Sequence, residues 1–157
     1  MYKKLLFYIQ LFSIFYFSPN WATNNGDTTV VVEVIDLTDE FKLNENEIKS
    51  LSDMALKGSK EAATKLYDHY EMYKNDFLEA NFWLRIAAEN GDTTAQYNYG
   101  IDLFEENYSH ILGITDPIEI ERRKKRAVFW FKKAATNGCK FAEEKLNEIE
   151  KELNNIN

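Results

Sequence analysis

After residue 43 the apolar residues recur at helical spacing, and one block of this pattern occurs twice. Residues 81–96 read NFWLRIAAENGDTTAQ, and residues 128–143 read VFWFKKAATNGCKFAE. In each block a Trp is followed four and five residues later by Ala-Ala and eight residues later by Gly. A further Ala follows each Gly by four residues. The recurrence predicts that one structural unit is built more than once.

The layout of one block predicts a helical hairpin. Its apolar residues fall on one helical stripe, which consists of Ala80, Trp83, Leu84, Ala87 and Ala88. Small alanines let two helices approach closely, and the Trp fills the wider gap beside them. Gly91 stands where a helix ends in a left-handed conformation, and Asp92 or Thr93 can cap the next helix. One hairpin cannot bury its own stripe, so we expect the hairpins to stack.

Alignment on glycine gives three copies, at Gly58, Gly91 and Gly138, with spacings of 33 and 47 residues. Periods in this range are typical of stacked helical pairs. The sequence predicts helices over residues 44–57, 59–73, 76–89, 92–107, 119–137 and 139–153. Residues 108–118 are predicted to form one long loop, which accounts for the longer spacing, and long loops in compact domains are often functional.

The joint pattern resembles that of Sel1-like repeats, which are related to tetratricopeptide arrays. The family pattern is approximately Ala-x3-Leu-Gly-x2-Tyr, a variable loop, and then Asp-x3-Ala-x2-Trp-x3-Ala-Ala-x2-Gly. Its second half is matched in full by Asp76, Ala80, Trp83, Ala87, Ala88 and Gly91. The resemblance covers about residues 45–150 and implies an all-α fold, an α/α solenoid of about three helix-turn-helix repeats. The terminal copies depart from the pattern, as expected of capping repeats.

The residues ahead of the repeats divide into two parts. Residues 1–22 have the layout of a secretory signal peptide, with a basic start, an apolar run at 5–17 and a small residue at Ala22. The run is short for a membrane span, and an uncleaved N-terminal anchor is the alternative. Residues 23–43 are predicted to form a short extended arm, because TTVVVEVIDL is rich in β-branched residues. The repeat domain is expected over residues 44–157, in a periplasmic or secreted protein.

The balance of charge excludes some classes of partner. The chain has 19 basic and 26 acidic residues and a net charge of −7, which becomes −9 when residues 1–22 are removed. A nucleic-acid-binding protein needs a basic face, so nucleic acid is not expected as a partner. No membrane contact is expected after signal cleavage. The single cysteine, Cys139, cannot form an intramolecular disulfide and is predicted to be a small buried residue at a helix start.

No residue pattern indicates catalysis, a cofactor or a metal ion. His69 and His110 lack ligand-spaced partners and are predicted to be exposed, on a helix and in a loop. Pairs of acidic residues are plentiful and typical of solvated helix faces. The basic run RRKKR at 122–126 is predicted to solvate the first turns of its helix, with a partner contact as the alternative. We therefore expect a protein that is not an enzyme.

Tyrosines and acidic residues are concentrated around the predicted loop. Tyr73 and Tyr108 lie off the apolar stripe, and we expect them to be exposed at loop-side helix ends beside acidic side chains. Aromatic and acidic residues together suit a protein-binding surface, and ordinary packing with solvation is the alternative. The predicted partner-binding residues are Tyr73, Asp102, Glu105, Glu106, Tyr108 and His110.

The resemblance implies an interaction module. A small exported protein with this repeat is similar to bacterial immunity proteins that bind and block a toxic effector, including phospholipase effectors of the type VI secretion system. An excess of acidic residues would steer it onto a basic effector surface. The alternatives are a periplasmic adaptor or regulatory protein in envelope signalling or host contact, and an envelope enzyme or peptidoglycan-binding protein with a deep polar pocket.

Overall fold

The computed structural model describes residues 38–155, and the side chains of residues 38–151. Within these residues the chain is all-α, as predicted, and it forms no β-strand. The predicted signal peptide at 1–22 and most of the predicted arm, residues 23–37, lie outside the described residues. No helix in the described part is both long enough and apolar enough to cross a bilayer.

Seven α-helices succeed one another between residues 45 and 155 of the described chain. They are α1 (Glu45–Leu56), α2 (Lys60–Asp68), α3 (Phe77–Glu89), α4 (Thr93–Phe104), α5 (Glu106–Ile111), α6 (Pro117–Thr136) and α7 (Lys140–Asn155). A short 3-10 helix (Asp39–Phe41) precedes α1, and a π turn (His69–Tyr73) continues α2. All of these helices except α5 and the 3-10 helix correspond to predicted ones.

Local chemistry starts and ends the helices where the sequence predicts. Asn44 and Glu47 form a capping box at the start of α1. The Asp92 carboxylate accepts a hydrogen bond of 2.7 Å from the Ala95 amide at the start of α4. The three aligned glycines follow the ends of α1, α3 and α6 with φ values of +105°, +94° and +89°, a conformation that other residues rarely adopt. Each hairpin is therefore closed by its own turn residues.

Alanines and tryptophans make up much of the core. The predicted stripe on α3 is buried in full, which confirms its orientation; its members are Ala80, Trp83, Leu84, Ala87 and Ala88. The second Trp block behaves alike, since Trp130 is 6% exposed and Ala134 is completely buried. Small residues on facing helices allow close approach, and each indole fills the space beside them. The two blocks thus bury the same positions except the second Ala of each pair, since Ala88 is completely buried and Ala135 is half-buried.

Each long helix packs against the next long helix along the chain. The short helix α5 is not part of this series, so α4 packs directly along α6. Asparagines ahead of the turn glycines add polar links between copies. Asn90 Nδ2 donates to the Ala55 carbonyl at 2.8 Å. Asn137 Nδ2 donates to Gln96 Oε1 at 2.8 Å, and Gln96 Nε2 donates to the Ala88 carbonyl at 3.2 Å. The first link ends in the last turn of α1, and the second reaches the last turn of α3 through Gln96 of α4.

Three local predictions are corrected by the structure. Residues 108–118 are not one long loop, because helix α5 occupies Glu106–Ile111 and only a short turn joins it to α6. The end of the predicted arm is not wholly extended, because the 3-10 helix lies within it. Cys139 is half-buried rather than buried, because it precedes the first turn of α7 instead of lying on its packed face.

Candidate protein-binding site

A cluster of acidic and tyrosine side chains lies where α2, α3, α4 and α5 converge. We call it the acid–tyrosine cluster, and its members are Tyr67, Glu71, Asn81, Asp102 and Tyr108. Two carboxylates within it are almost removed from solvent, since Glu71 is 6% exposed and Asp102 is 1% exposed. Carboxylates are seldom buried to this extent unless polar groups surround them. The cluster is therefore the part of the described core that is richest in polar chemistry.

The π turn gives Glu71 its position. The backbone amide of Lys74 donates to the His69 carbonyl at 3.0 Å, which closes a wider ring than an α-turn. Single π turns are frequent at functional sites because they shift the side chains that follow them. The turn ends at Asn75, whose φ of +53° redirects the chain into α3. The Glu71 carboxylate is thereby carried into the interior instead of remaining on the outer surface of α2.

Arg123 of α6 fixes the position of α5. Its Nε donates to Ser109 Oγ at 3.0 Å, and its Nη2 donates to the Asp102 carbonyl oxygen at 3.0 Å. Both Arg123 and Ser109 are buried. One guanidinium thus ties α4, α5 and α6 together, and it places Tyr108, the neighbour of Ser109, at the cluster. The prediction that residues 122–126 all solvate α6 is wrong at this position.

Burial and negative charge keep the tyrosines of the cluster protonated. Burial raises the pKa of the Tyr67 phenol, and the charges of Glu71 and Asp102 raise it further. The pKa of Tyr108 is raised by burial and then by the charges of Asp102 and Glu71. Neutral phenols donate hydrogen bonds, so they stabilise buried carboxylates without adding charge. Alongside, burial and the charge of Asp92 raise the pKa of Asp68 to about 6.

The arrangement suits recognition of a positively charged group. Carboxylates in a site of low dielectric interact strongly with a guanidinium or ammonium group, and tyrosines supply hydrogen bonds with little loss of side-chain entropy. Over residues 38–151, no group of three or more His, Cys, Asp or Glu side chains has the geometry to hold a metal ion. The cluster combines two buried carboxylates with neutral phenols beside them.

The structure brings some of the predicted partner-binding residues together and separates others. Asp102 and Tyr108 are both in the cluster, where Asp102 is buried and Tyr108 is half-buried, so Tyr108 is not the exposed tyrosine that we predicted. The reason is that α5 folds back against α4. Glu105, Glu106 and His110 flank the cluster on and beside α5; Glu105 is half-buried and the other two are exposed.

The remaining predicted residue, Tyr73, lies at the end of the π turn and is half-buried rather than exposed. Its ring stacks on His69 at 5.4 Å, and Lys42 lies 5.5 Å from its centre. The prediction that His69 is exposed is wrong, because the imidazole is completely buried and its Nδ1 accepts the Leu43 amide at 3.2 Å. This pair holds the segment before α1 against α2.

The predicted partner-binding residues do not include three members of the cluster, Tyr67, Glu71 and Asn81. One available signal was that Tyr67 stands where the Sel1-like pattern has Gly, so a large phenol replaces a position of close approach. Glu71 carried no such signal, because its burial depends on the π turn. Asn81 precedes Phe82 and Trp83, and the sequence predicts only that it lies on a helix.

Comparison with known proteins gives one informative similarity. The chain is 30% identical over 111 residues to the uncharacterized protein YibG of Escherichia coli strain K12, a match that spans 71% of this chain and 67% of that protein. No protein-family model matches the chain. No solved structure matches it either.

Proposed function

The chain belongs to the same family as Escherichia coli YibG, and we propose that it is an exported helical repeat module that binds and inhibits another protein. The observation that carries this proposal is the convergence of two buried carboxylates and two protonated tyrosines near Glu105, which is half-buried, and Glu106, which is exposed at the start of α5. In this proposal the exposed acid contacts a basic side chain of the partner, and the buried carboxylates add to the negative potential around it.

The repeat interpretation supports a binding role. We propose that α1–α2, α3–α4 and α6–α7 are Sel1-like repeats that form a short α/α solenoid. In support, the Trp and the first Ala of the Ala-Ala pair are buried in both α3 and α6, and Asn90 and Asn137 each form a hydrogen bond to the preceding copy. Solenoids of this kind present extended surfaces for protein recognition. In this interpretation α5 is an insertion at the end of the second repeat.

We propose that the partner is a toxic effector and that this protein is its immunity protein, acting in the periplasm or after secretion. The sequence resemblance to exported Sel1-repeat immunity proteins supports this, with phospholipase effectors of type VI secretion as the leading class. The net charge of −7 favours fast association with a basic effector. In this proposal the protein has no catalytic activity of its own. A periplasmic adaptor in envelope signalling or host contact is the second candidate, supported by the same surface.

The test is to purify the exported protein with its bound partners from its native organism and identify them by mass spectrometry. The proposal expects one toxic hydrolase in stoichiometric amount, whose activity falls when this protein is added. Recovery of envelope-signalling components instead would support the adaptor. A protein that copurifies with neither, and that alters no hydrolase encoded beside its gene, would contradict the proposal.

Once a partner has been identified, reversal of two charges tests whether α5 belongs to the binding site. We expect Glu105→Arg/Glu106→Arg to weaken the complex by at least tenfold, because each lost close charge pair is worth roughly 1 kcal/mol or more. The matched control is Glu143→Arg/Glu144→Arg, which reverses two adjacent exposed acids on α7. Calorimetry on both pairs measures the effect. If both folded variants bind the partner as tightly as the wild-type protein does, α5 is not part of the interface.

A further inference from the structure

The outer surface of α3 and α6 carries two exposed phenylalanines at equivalent positions. Phe82 and Phe129 each precede the Trp of their block, and they are 37% and 59% exposed. Each ring meets its neighbouring indole edge to face, at 4.9 Å for Phe82 and 5.3 Å for Phe129. The stripe of each helix faces the core, so the preceding Phe projects outward in both. Neither ring is needed to fill that core.

Basic side chains lie near the Phe82 ring and near the indole that neighbours Phe129. Arg85 lies 5.5 Å from the centre of the Phe82 ring, and Lys133 lies 5.2 Å from the centre of the Trp130 ring. Arg85 also pairs with Glu89 at 3.7 Å. Arg126 and Lys132 are exposed, and within residues 38–151 neither has a carboxylate close enough for an ion pair. Basic charge on this surface therefore exceeds acidic charge.

Both helices pack on α4. Tyr99 of α4 lies between them, with its ring 5.5 Å from that of Trp130. Burial raises the pKa of Tyr99, while the charges of Arg126 on α6 and Arg85 on α3 act in the opposite direction. A single phenol is thus within electrostatic reach of basic groups from both helices. We define the Phe–cation face as Phe82, Arg85, Arg126, Phe129, Lys132 and Lys133.

Charge is strongly segregated in this protein. Helix α6 contains seven basic and two acidic residues, a net charge of +5, whereas the whole chain has a net charge of −7. Three of the α6 cations form ion pairs, because Arg122 pairs with Glu119, Lys125 with Glu121, and Lys124 with Glu106 of α5. The α6 cations of the Phe–cation face, Arg126, Lys132 and Lys133, lie farther along the helix and have no such ion pair within the described residues. An anionic surface would attract this face and repel most of the remainder.

We propose that the Phe–cation face contacts the anionic surface of a lipid bilayer. Exposed phenylalanines enter the boundary between headgroups and acyl chains, while lysines and arginines extend to the phosphates. A bilayer fits because the rings project singly from an outward surface and are not set in a groove shaped for a peptide. The inference departs from the sequence-based expectation of no membrane contact and does not depend on the partner proposed above.

The test is flotation of the purified exported protein with phosphatidylcholine vesicles prepared with and without phosphatidylglycerol. The N-terminus of every preparation is determined by mass spectrometry, so that the apolar run at 5–17 is present or absent alike in all samples. The face variants are Arg126→Glu/Lys132→Glu/Lys133→Glu and Phe129→Ser. The matched control is Lys60→Glu/Lys65→Glu/Lys140→Glu, which reverses three exposed cations on α2 and α7. Circular dichroism confirms that each variant is folded.

We expect the wild-type protein to float with the phosphatidylglycerol vesicles and to release at high salt. The bound fraction should fall by roughly tenfold or more in the triple face variant, because each basic residue near an anionic surface contributes several-fold. Phe129→Ser should weaken binding, and the control triple variant should bind like wild type. Binding that is equal with and without phosphatidylglycerol, or equally weakened in both triple variants, overturns the proposal. The proposal is also overturned if the wild-type protein does not bind these vesicles but binds polyglutamate through the same cations. That result would indicate that the face binds an acidic protein.

Discussion

Replacement of Gly100 by alanine tests how closely α4 and α6 pack. Gly100 lies in the middle of α4, where alanine would ordinarily favour the helix by about 1 kcal/mol. A Cβ atom at this position, however, would lie 2.6 Å from Cε1 and 2.8 Å from Cδ1 of Phe131. Carbon atoms in contact are normally about 3.5–4.0 Å apart. The ring or the helix would have to move.

The Phe131 ring has little space in which to move. It is completely buried, and its centre lies 5.9 Å from that of Tyr97 and 6.2 Å from that of Phe104. Overpacking of a core typically costs about 1–3 kcal/mol. At a contact this short we expect the upper half of that range. After the gain in helix propensity, Gly100→Ala should lower the free energy of unfolding by about 1–2 kcal/mol.

Urea denaturation and thermal melting measure this change, and the melting temperature should fall by roughly 5 °C. Thr94→Ala, at an exposed position of the same helix, is the control and should leave stability equal or slightly higher. Phe131→Leu should relieve the clash, so the double variant should lose less than the two single variants combined. If Gly100→Ala is as stable as Thr94→Ala, the close approach of α4 and α6 is wrong.

Three other substitutions probe different parts of the molecule. Trp83→Ala removes an indole that is 5% exposed and should cost about 3–5 kcal/mol; an unaltered melting temperature would mean that the stripe on α3 is not core. Asp68, whose pKa is raised to about 6, favours folding when protonated, so wild-type stability should fall as the pH rises from about 4 through 6. Asp68→Asn should recover roughly 1–2 kcal/mol at pH 8 after allowance for solvent screening, and equal gains at pH 4 and pH 8 would refute this account. Arg123→Ala should accelerate hydrogen exchange of the amides in α5 but not those in α1, whereas uniform acceleration would show that Arg123 supports the whole fold.

Much of the helical framework could be predicted because its signals are local. Asn44 and Asp92 cap helices through their own side chains, and the glycines after α1, α3 and α6 supply the positive φ that ends each one. The Ala-Trp-Ala-Ala stripe has the period of a helix, so its buried side followed from spacing alone. These features depend on residues fewer than about five positions apart.

Arg123 shows why the candidate site was harder to predict. It falls within five consecutive basic residues, which favours a solvated interpretation, yet it lies four residues before Ala127 and therefore on the buried stripe of α6. Its partners, Ser109 and the Asp102 carbonyl, are 14 and 21 residues away. The run of basic residues predicts that Arg123 is solvated, whereas the helical period predicts that it is buried. It is buried because its guanidinium forms hydrogen bonds with Ser109 and the Asp102 carbonyl.

Contacts between distant residues also determine the positions of α5 and His69. Helix α5 is too short to be stable alone, and it forms because Arg123 and α4 hold it. His69 is buried because the backbone of residues 41–43 returns to cover it, with the Phe41 carbonyl oxygen 3.0 Å from Nδ1. In both places the deciding contact is between residues far apart in the sequence.

The direct packing of α4 on α6 has a consequence for how this protein can change over generations. The segment between them leaves and rejoins the helical framework at neighbouring points, so its length is not constrained by the spacing of the helices. The entropy cost of closing such a segment grows only slowly with its length. Exposed residues of this segment can therefore be inserted, deleted or exchanged while the alanine and tryptophan framework is retained, provided that Ser109 still meets Arg123. The length of the segment between α4 and α6 can thus change over generations while the repeated helical framework stays the same.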